Sequence, residues 1–99
     1  AKAMVAASKG AIVNISSGAS LRAMPKSPIY GAAKAGVNSL TGSLAAAWTP
    51  KGVRVNAIAV GAVRAATLTD ELDRLGIDPK AIARGNALGR LGEPEEIGA

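Results

Sequence analysis

Two short runs of apolar and β-branched residues set the framework of the chain. One extends from Ala11 to Ser16 and the other from Val53 to Ala59, and a glycine precedes each run. Runs of this length and composition are typical of strands that are buried on both faces of a parallel sheet. The pattern therefore predicts two buried parallel strands, the second of which ends at Gly61.

The residues between the two runs divide into a loop and a long helix. Gly18 to Pro28 contains glycine, serine and two prolines, which resist helix formation. Ile29 to Trp48 is mostly alanine, leucine and other helix-compatible residues, and the proline and glycine of Thr49 to Gly52 end it. Strand, helix and strand are then expected to make one parallel βαβ unit with a right-handed crossover.

Two glycines lie inside the predicted long helix. Gly36 and Gly42 each weaken a helix by about 1 kcal/mol relative to alanine. Glycine at such positions is typical of helices to which another backbone comes close. We therefore expect a neighbouring segment to pack against both.

The remaining segments favour short helices. Residues 1–8 are predicted to form a helix that Lys9 and Gly10 stop, and that begins before Ala1. Beyond the second strand, each predicted helix has its own start signal: Thr67 before Leu68 to Leu75, Asp78 and Pro79 before a stop at Gly85, and Pro94 near the end. Residues 62–90 are interpreted as a mobile insertion over the strand ends.

The length of the chain indicates a partial domain. Its 99 residues permit one small domain, whereas a complete doubly wound α/β domain is usually about twice that length or more. We therefore interpret residues 1–99 as one α/β domain that is truncated at both ends.

The charge of the chain is positive but dispersed. Twelve lysines and arginines against seven acidic residues give a formal net charge of +5. The basic residues form no run, and tyrosine and tryptophan occur once each. Nucleic-acid binding needs a basic patch with stacking aromatics, so we expect no nucleic-acid partner and interpret the charges as a solvated surface.

The composition also argues against several kinds of site and against a membrane location. The sequence has neither cysteine nor histidine, which argues against disulfides, thiolate chemistry and a structural zinc site. It contains no apolar segment of membrane-spanning length and no visible signal peptide. We expect a cytoplasmic location and no membrane partner.

Tyr30 and Lys34 are the main candidates for chemistry. On a helix, side chains four residues apart lie on one face, so the phenol and the ammonium group are expected to share a space. A lysine cation at ~4 Å favours the phenolate by about 4 kcal/mol at an effective dielectric of ~20. We expect Lys34 to lower the pKa of Tyr30 so that the phenol acts as a general acid and base.

Each candidate also has a simpler structural interpretation. Ser17, which follows the first predicted strand, is a possible turn residue; Tyr30 is a possible half-buried aromatic at a helix start, and Lys34 a possible solvated lysine. Taken singly, these roles are commoner than catalysis. The catalytic interpretation is supported only when the three residues are taken as an ordered set between two matching strands.

The ordered set resembles the short-chain dehydrogenase/reductase family. That family has a serine at the end of a strand, then Tyr-x-x-x-Lys opening a helix, as Ser17, Tyr30 and Lys34 do here. The spacing to Tyr30 in the family pattern selects Ser17 rather than its neighbour Ser16. The resemblance covers almost all of the chain and implies the carboxyl-terminal portion of a Rossmann-type doubly wound parallel sheet.

The resemblance implies a role for each candidate residue. Tyr30 would exchange a proton with the oxygen of an alcohol or ketone substrate while hydride passes to or from NAD or NADP. Lys34 would lower the pKa of Tyr30 and bind the nicotinamide ribose, and Ser17 would orient the substrate. Gly61 and the backbone of Val63 match the place where the family holds the carboxamide.

The resemblance also leaves three questions open. The glycine-rich phosphate-binding turn, Gly-x-x-x-Gly-x-Gly, does not occur in the sequence, so the chain alone is expected to bind cofactor poorly. In the family the glycine-containing helix lies at a subunit contact, which implies a homo-oligomer; packing on the chain's own sheet is the alternative. A non-catalytic piece that only pairs with partners is the competing hypothesis.

Overall fold

The computed structural model describes residues 1–64 and 66–98, and of residues 66 and 67 it describes the backbone alone. The described residues form an α/β structure in which two parallel strands make one sheet. The chain divides into two compact units, Ala1–Ala59 and Val60–Ala99. The predicted α/β class and the parallel strand pair are confirmed.

The first unit contains the predicted helix, strand, helix and strand. Helix α1 spans Lys2–Ala7, strand β1 spans Gly10–Ser17 and helix α2 spans Pro28–Trp48. Strand β2 spans Val53–Val60, and its last residue is the first of the second unit. Each strand extends at most one residue beyond either predicted end. Pro28 is the first residue of α2, where a fixed φ suits the helix and the missing N–H costs no hydrogen bond.

A glycine brings the end of α1 close to the start of β2. After α2, a short 3-10 helix at Thr49–Lys51 leads to Gly52, whose φ of 84° lies in the left-handed region. A Cβ added at Gly52 would clash with the backbone carbonyl of Ser8, the residue that follows α1. Gly52 is therefore required both by its backbone angle and by this close approach.

The prediction that both strands are buried on both faces is wrong for this chain. Along β1, the side chains of Asn14 and Ser16 hydrogen-bond to α2, whereas Val13 and Ile15 are 56% and 53% exposed. Because successive side chains of a strand point to opposite faces, α2 covers one face of β1 and leaves the other open. In β2, Val53 and Val55 are buried while Arg54 and Asn56 are exposed. The apolar runs match parallel strands, but each strand has one covered and one open face.

The second unit contains three helices among its described residues. Helix α3 spans Ala66–Leu75, α4 spans Pro79–Gly85 and α5 spans Pro94–Gly98. Leu72 and Leu91 are its buried apolar side chains, at 5% and 8% exposure. The prediction that residues 62–90 form a mobile insertion stays a prediction.

Two of the predicted start signals differ in where they lie relative to their helices. The side chain of Asp78 accepts a hydrogen bond from the Lys80 N–H at 3.0 Å, as expected of a residue that caps α4. Helix α3 begins at Ala66, so Thr67 lies inside the helix and does not precede it. The predicted capping by the Thr67 side chain falls outside the described atoms.

The two glycines of α2 do not pack against a neighbouring segment. A Cβ added at Gly36 or at Gly42 would meet nothing within 4 Å. Of the two alternatives for these glycines, packing on the chain's own sheet is therefore contradicted within the part of the chain that the structure describes. Leu40, between them in sequence, is also 55% exposed.

Candidate active site

Tyr30 and Lys34 lie on the first turns of α2 and face each other. The Nζ atom of Lys34 lies 5.8 Å from the centroid of the Tyr30 ring, within the range of a cation–π contact. The same Nζ donates a hydrogen bond to the backbone carbonyl of Ile15 at 3.1 Å. Tyr30 itself is 50% exposed. The ammonium group is therefore held between β1 and a phenol that solvent can reach.

Ser17 lies where β1 ends and the next turn begins. It caps a short 3-10 helix at Gly18–Ser20, and its hydroxyl oxygen accepts a hydrogen bond from the Ala19 N–H at 3.2 Å. The Ser17 carbonyl accepts a second bond from the Ser20 hydroxyl at 2.6 Å. A hydroxyl that accepts one bond still has its own hydrogen to donate. The turn thus fixes Ser17 and leaves a donor for a ligand.

Ser16 has a different environment. It is 2% exposed, and its hydroxyl lies 3.3 Å from the Lys34 carbonyl and 3.4 Å from the Ser20 hydroxyl. These contacts join the end of β1 to the helical turn that carries Lys34. Ser16 therefore acts as a structural link between β1 and α2. Ser17, by contrast, is only half-buried, so a ligand can reach it.

Sequence reasoning missed the polar contacts that fix α2 on β1. The Asn14 amide donates to the Thr41 hydroxyl at 2.9 Å, and that hydroxyl donates to the Val37 carbonyl at 2.7 Å. One turn nearer the site, the Asn38 amide donates to the Ser20 hydroxyl at 2.7 Å. An asparagine inside an apolar strand was the available signal, because a covered polar group needs a hydrogen-bonding partner.

Gly31 is a second contact that sequence reasoning missed. A Cβ added at Gly31 would lie 3.0 Å from the backbone carbonyl oxygen of Ala19. The turn after Ser17 and the start of α2 can approach this closely because residue 31 has no side chain. Gly31, rather than Gly36 or Gly42, is the glycine of α2 that a neighbouring backbone requires.

An open cavity lies between the loop after β1 and the first turns of α2. Its volume is about 440 Å³, and its lining includes Arg22, Met24, Pro28, Gly31 and Ala35. The loop and the helix start also expose two large apolar side chains, Leu21 at 73% and Ile29 at 80%. The surface around this loop is therefore mostly apolar, with two exposed cations, Arg22 and Lys26.

Gly61 and Val63 belong to the second unit. Gly61 follows β2 and is exposed. Val63 pairs with Gly92 in an isolated parallel bridge: the Arg64 N–H donates to the Gly92 carbonyl at 2.7 Å, and the Gly92 N–H donates to the Ala62 carbonyl at 2.9 Å. Because N–H and C=O groups alternate in direction along an extended chain, those of Val63 point away from Gly92.

Neither a metal centre nor a membrane span is found in the described part. Among residues 1–64 and 66–98, no three acidic residues are grouped so as to hold a metal ion. No helix described there is long and apolar enough to cross a membrane.

Comparison with known proteins identifies relatives along the whole chain. A family model described as Enoyl-(Acyl carrier protein) reductase matches residues 1–99. The short-chain type dehydrogenase/reductase y4vI of Sinorhizobium fredii is 48% identical over 88 residues, covering 88% of this chain and 16% of that protein. The 2-keto-3-deoxy-L-fuconate dehydrogenase of Xanthomonas campestris is 36% identical over 99 residues, covering 95% of this chain and 33% of that protein.

Solved structures share the fold. ElxO with NADP bound is similar with a TM-score of 0.84 and 35% identity, over 97% of this chain and 39% of that one. NAD⁺-bound xylitol dehydrogenase has a TM-score of 0.88 at 24% identity, over 97% of this chain and 42% of that one; this second likeness shows the fold alone. The chain thus spans well under half the length of these proteins.

Proposed function

Because the chain belongs to the short-chain dehydrogenase/reductase family, we propose that it carries the catalytic side chains of an NAD(P)-dependent oxidoreductase. The bound nicotinamide would supply or accept the hydride that interconverts a secondary alcohol and a ketone. The chain spans 16% and 33% of the lengths of the two curated relatives named above. The activity is therefore proposed for a longer, complete protein of which these residues form part.

The observation that carries this proposal is the position of Lys34 between β1 and Tyr30. The Ile15 carbonyl takes one of the three N–H donors of the ammonium group, so two remain for ribose hydroxyls. The cation also lies 5.8 Å from the Tyr30 ring centroid, so the phenol and the ammonium group share one site. Tyr30 would pass a proton to the substrate oxygen in reduction and take it back in oxidation.

Ser17 completes the site on the substrate side. Its hydroxyl oxygen is engaged by the Ala19 N–H, so its hydrogen can be donated to the substrate oxygen. A fixed donor at that oxygen stabilises the negative charge that develops on it. Ser16, buried against α2, is the wrong residue for this role.

The backbone of Val63 fits the cofactor contact that the family pattern implies. Its N–H and C=O groups point away from the Gly92 bridge, and a primary carboxamide can both donate to and accept from such a pair. Gly61, which follows the last residue of β2, is proposed to belong to the same cofactor contact. Both NAD and NADP fit the proposal; the neighbour ElxO was solved with NADP.

The test is a Tyr30→Phe substitution in the complete protein. Phenylalanine keeps the ring beside Lys34 but removes the proton that is exchanged. We expect the rate of NADH or NADPH oxidation with a panel of ketones to fall by about 10²-fold or more, with cofactor binding unchanged by fluorescence titration. A rate equal to that of the wild type would refute the mechanism.

We further propose that α2 forms a contact between subunits of a homo-oligomer. Gly36 and Gly42 have open space where a Cβ would stand, and Leu40 is exposed, so the helix offers a surface that another backbone can approach. The competing hypothesis, a non-catalytic interaction piece, uses the same surface. Light scattering, which measures the mass of the assembly, distinguishes the two hypotheses. If α2 is a subunit contact, Leu40→Lys should dissociate the oligomer of the complete protein. A folded dimer of the 99 residues alone would favour the interaction piece.

The substrate is proposed to be a small alcohol or ketone that contacts the loop of residues 21–29. Leu21, on the loop, and Ile29, on the first turn of α2, expose apolar side chains, which suit the apolar part of such a substrate. The expected cytoplasmic location also stays a prediction, which fractionation of cells that express the complete protein would test.

A further inference from the structure

The segment that contains Val63 is fixed by a second segment of the same unit. Gly92 forms both backbone hydrogen bonds of the bridge, one to Ala62 at 2.9 Å and one from Arg64 at 2.7 Å. Leu91, the neighbour of Gly92, is 8% exposed. The position of the Val63 backbone thus depends on how well Gly92 is held.

Two ion pairs flank this bridge. The Arg90 guanidinium donates to both carboxylate oxygens of Glu96, at 2.8 and 3.0 Å. Beyond Gly92, the Arg64 Nε donates to a carboxylate oxygen of Glu93 at 3.0 Å. Charge-assisted bonds in this bidentate geometry are among the more directional side-chain contacts.

The two pairs are also joined to each other. The backbone N–H of Glu93 donates to a carboxylate oxygen of Glu96 at 2.7 Å, and the Arg90 guanidinium donates to the Leu91 carbonyl at 3.1 Å. We call the set of Arg64, Arg90, Gly92, Glu93 and Glu96 the clip. Its side chains tie both sequence neighbours of Gly92 to charged partners.

Stability alone gives little reason for these pairs. The Arg64 and Glu93 side chains are 64% and 44% exposed, and those of Arg90 and Glu96 are 50% and 45% exposed. Exposed ion pairs contribute little to the free energy of unfolding, because solvent screens them. Their placement on either side of one backbone bridge points instead to a local effect on geometry.

We propose that the clip positions the backbone of Val63 for the cofactor. This inference rests on the proposed function, which assigns the Val63 N–H and C=O groups to the cofactor's carboxamide. Arg64 and Glu93 are then positioning residues: they touch no reacting atom, and they act through the bridge to Gly92. Loss of their pairing should weaken cofactor binding and leave the chemical step nearly unchanged.

The experiment is a charge exchange between Arg64 and Glu93 in the complete protein. The single variants Arg64→Glu and Glu93→Arg each place like charges side by side, and the double variant restores an opposite pair. We expect each single variant to raise the KM for NADH or NADPH, whichever the wild type oxidises, by about five- to tenfold with kcat within about twofold. The double variant should recover a KM within about twofold of the wild type.

A matched ion pair supplies the control. Glu71 and Arg74 on α3 are 46% and 64% exposed, nearly the same as the Arg64–Glu93 pair, and neither residue belongs to the clip. Glu71→Arg should therefore leave the KM for the cofactor unchanged. An equal rise in KM for Glu71→Arg would show a general charge effect and overturn the proposal.

A second readout separates the clip from the catalytic proposal. Amide hydrogen exchange at Gly92 and Arg64, whose N–H groups form the bridge, should accelerate in each single variant and recover in the double variant. If exchange accelerates while the KM stays constant, or if neither changes, the clip does not position the cofactor. If the wild type neither binds nor oxidises NADH or NADPH, the proposed function fails first and the clip's role fails with it.

Discussion

Lys34 and Tyr30 lie one helical turn apart on α2, and the ammonium nitrogen of Lys34 is 5.8 Å from the centre of the Tyr30 ring. The same nitrogen donates to the Ile15 carbonyl near the end of β1 at 3.1 Å. This bond ties the start of α2 to β1 and fixes the ammonium group beside the phenol. The catalytic roles of the two residues stay a proposal, which the variants below test.

The first prediction concerns the shape of that cation. Lys34→Arg keeps the positive charge, but a planar guanidinium cannot place its donors as a compact ammonium group does. We expect kcat/KM of the complete protein to fall by about 10²-fold, in the range of lost acid–base assistance. Lys51→Arg, in the 3-10 helix after α2, is the control and should leave kcat/KM unchanged. Full activity of Lys34→Arg would mean that charge alone suffices.

The second prediction distinguishes the two adjacent serines. Ser17→Ala should lower kcat by about 10²-fold, because a donor to the substrate oxygen is lost. Ser16→Ala should instead lower the free energy of unfolding by about 1 kcal/mol, because its buried hydroxyl links β1 to the Lys34 carbonyl. Steady-state kinetics and denaturant titration on both variants test the assignment. The reverse pattern would transfer the substrate role to Ser16.

The βαβ unit could be predicted from the sequence because its signals are local. Pro28, Pro50 and Gly52 mark the limits of α2 and of the turn before β2, and each acts through its own backbone geometry. The shared face of Tyr30 and Lys34 could be predicted from helical spacing, and the structure places them on one face. Their chemistry depended on the ordered set with Ser17 and on the family resemblance.

The contacts that the sequence could not reveal are between segments. Nothing local distinguishes Gly31, which a backbone carbonyl approaches, from Gly36, which has open space around it. The exposure of Val13 and Ile15 likewise depends on which face of β1 a helix covers. An apolar run shows that a strand can be buried on both faces, but it does not show whether both faces are covered.

The third prediction uses the two kinds of glycine in α2. Gly31→Ala would place a Cβ 3.0 Å from the Ala19 carbonyl oxygen, and we expect this crowding to cost about 1–3 kcal/mol of unfolding free energy. Gly36→Ala has open space and should instead gain up to about 1 kcal/mol from helix propensity. The free energies of unfolding of the two variants are compared by thermal melts at protein concentrations too low for subunits to associate. Equal effects of the two substitutions would show that the turn at Ala19 shifts to accommodate the added Cβ at no cost in stability.

The last prediction concerns acid and the clip. The Arg90 guanidinium, and after it the Glu93 backbone N–H, lower the pKa of Glu96 from 4.5 to about 2. A depressed pKa in the folded state means that the ionised carboxylate stabilises the fold. That contribution is complete above the unfolded value and is lost as the pH falls from about 4.5 towards 2.

We therefore expect the Arg90–Glu96 contact to open over this acid range while it stays closed at neutral pH. Carboxyl carbon NMR of the complete protein should give a titration midpoint near pH 2 for Glu96. Arg90→Met should move that midpoint back towards 4.5, because the guanidinium that lowers the pKa most is gone. The protection factor of the Glu93 amide against hydrogen exchange should fall over the same range, since its N–H donates to Glu96. Arg74→Met, which breaks the pair with Glu71 on α3, should leave the Glu96 midpoint unchanged. A Glu96 midpoint that ignores Arg90→Met would mean that the bidentate pair does not form in solution.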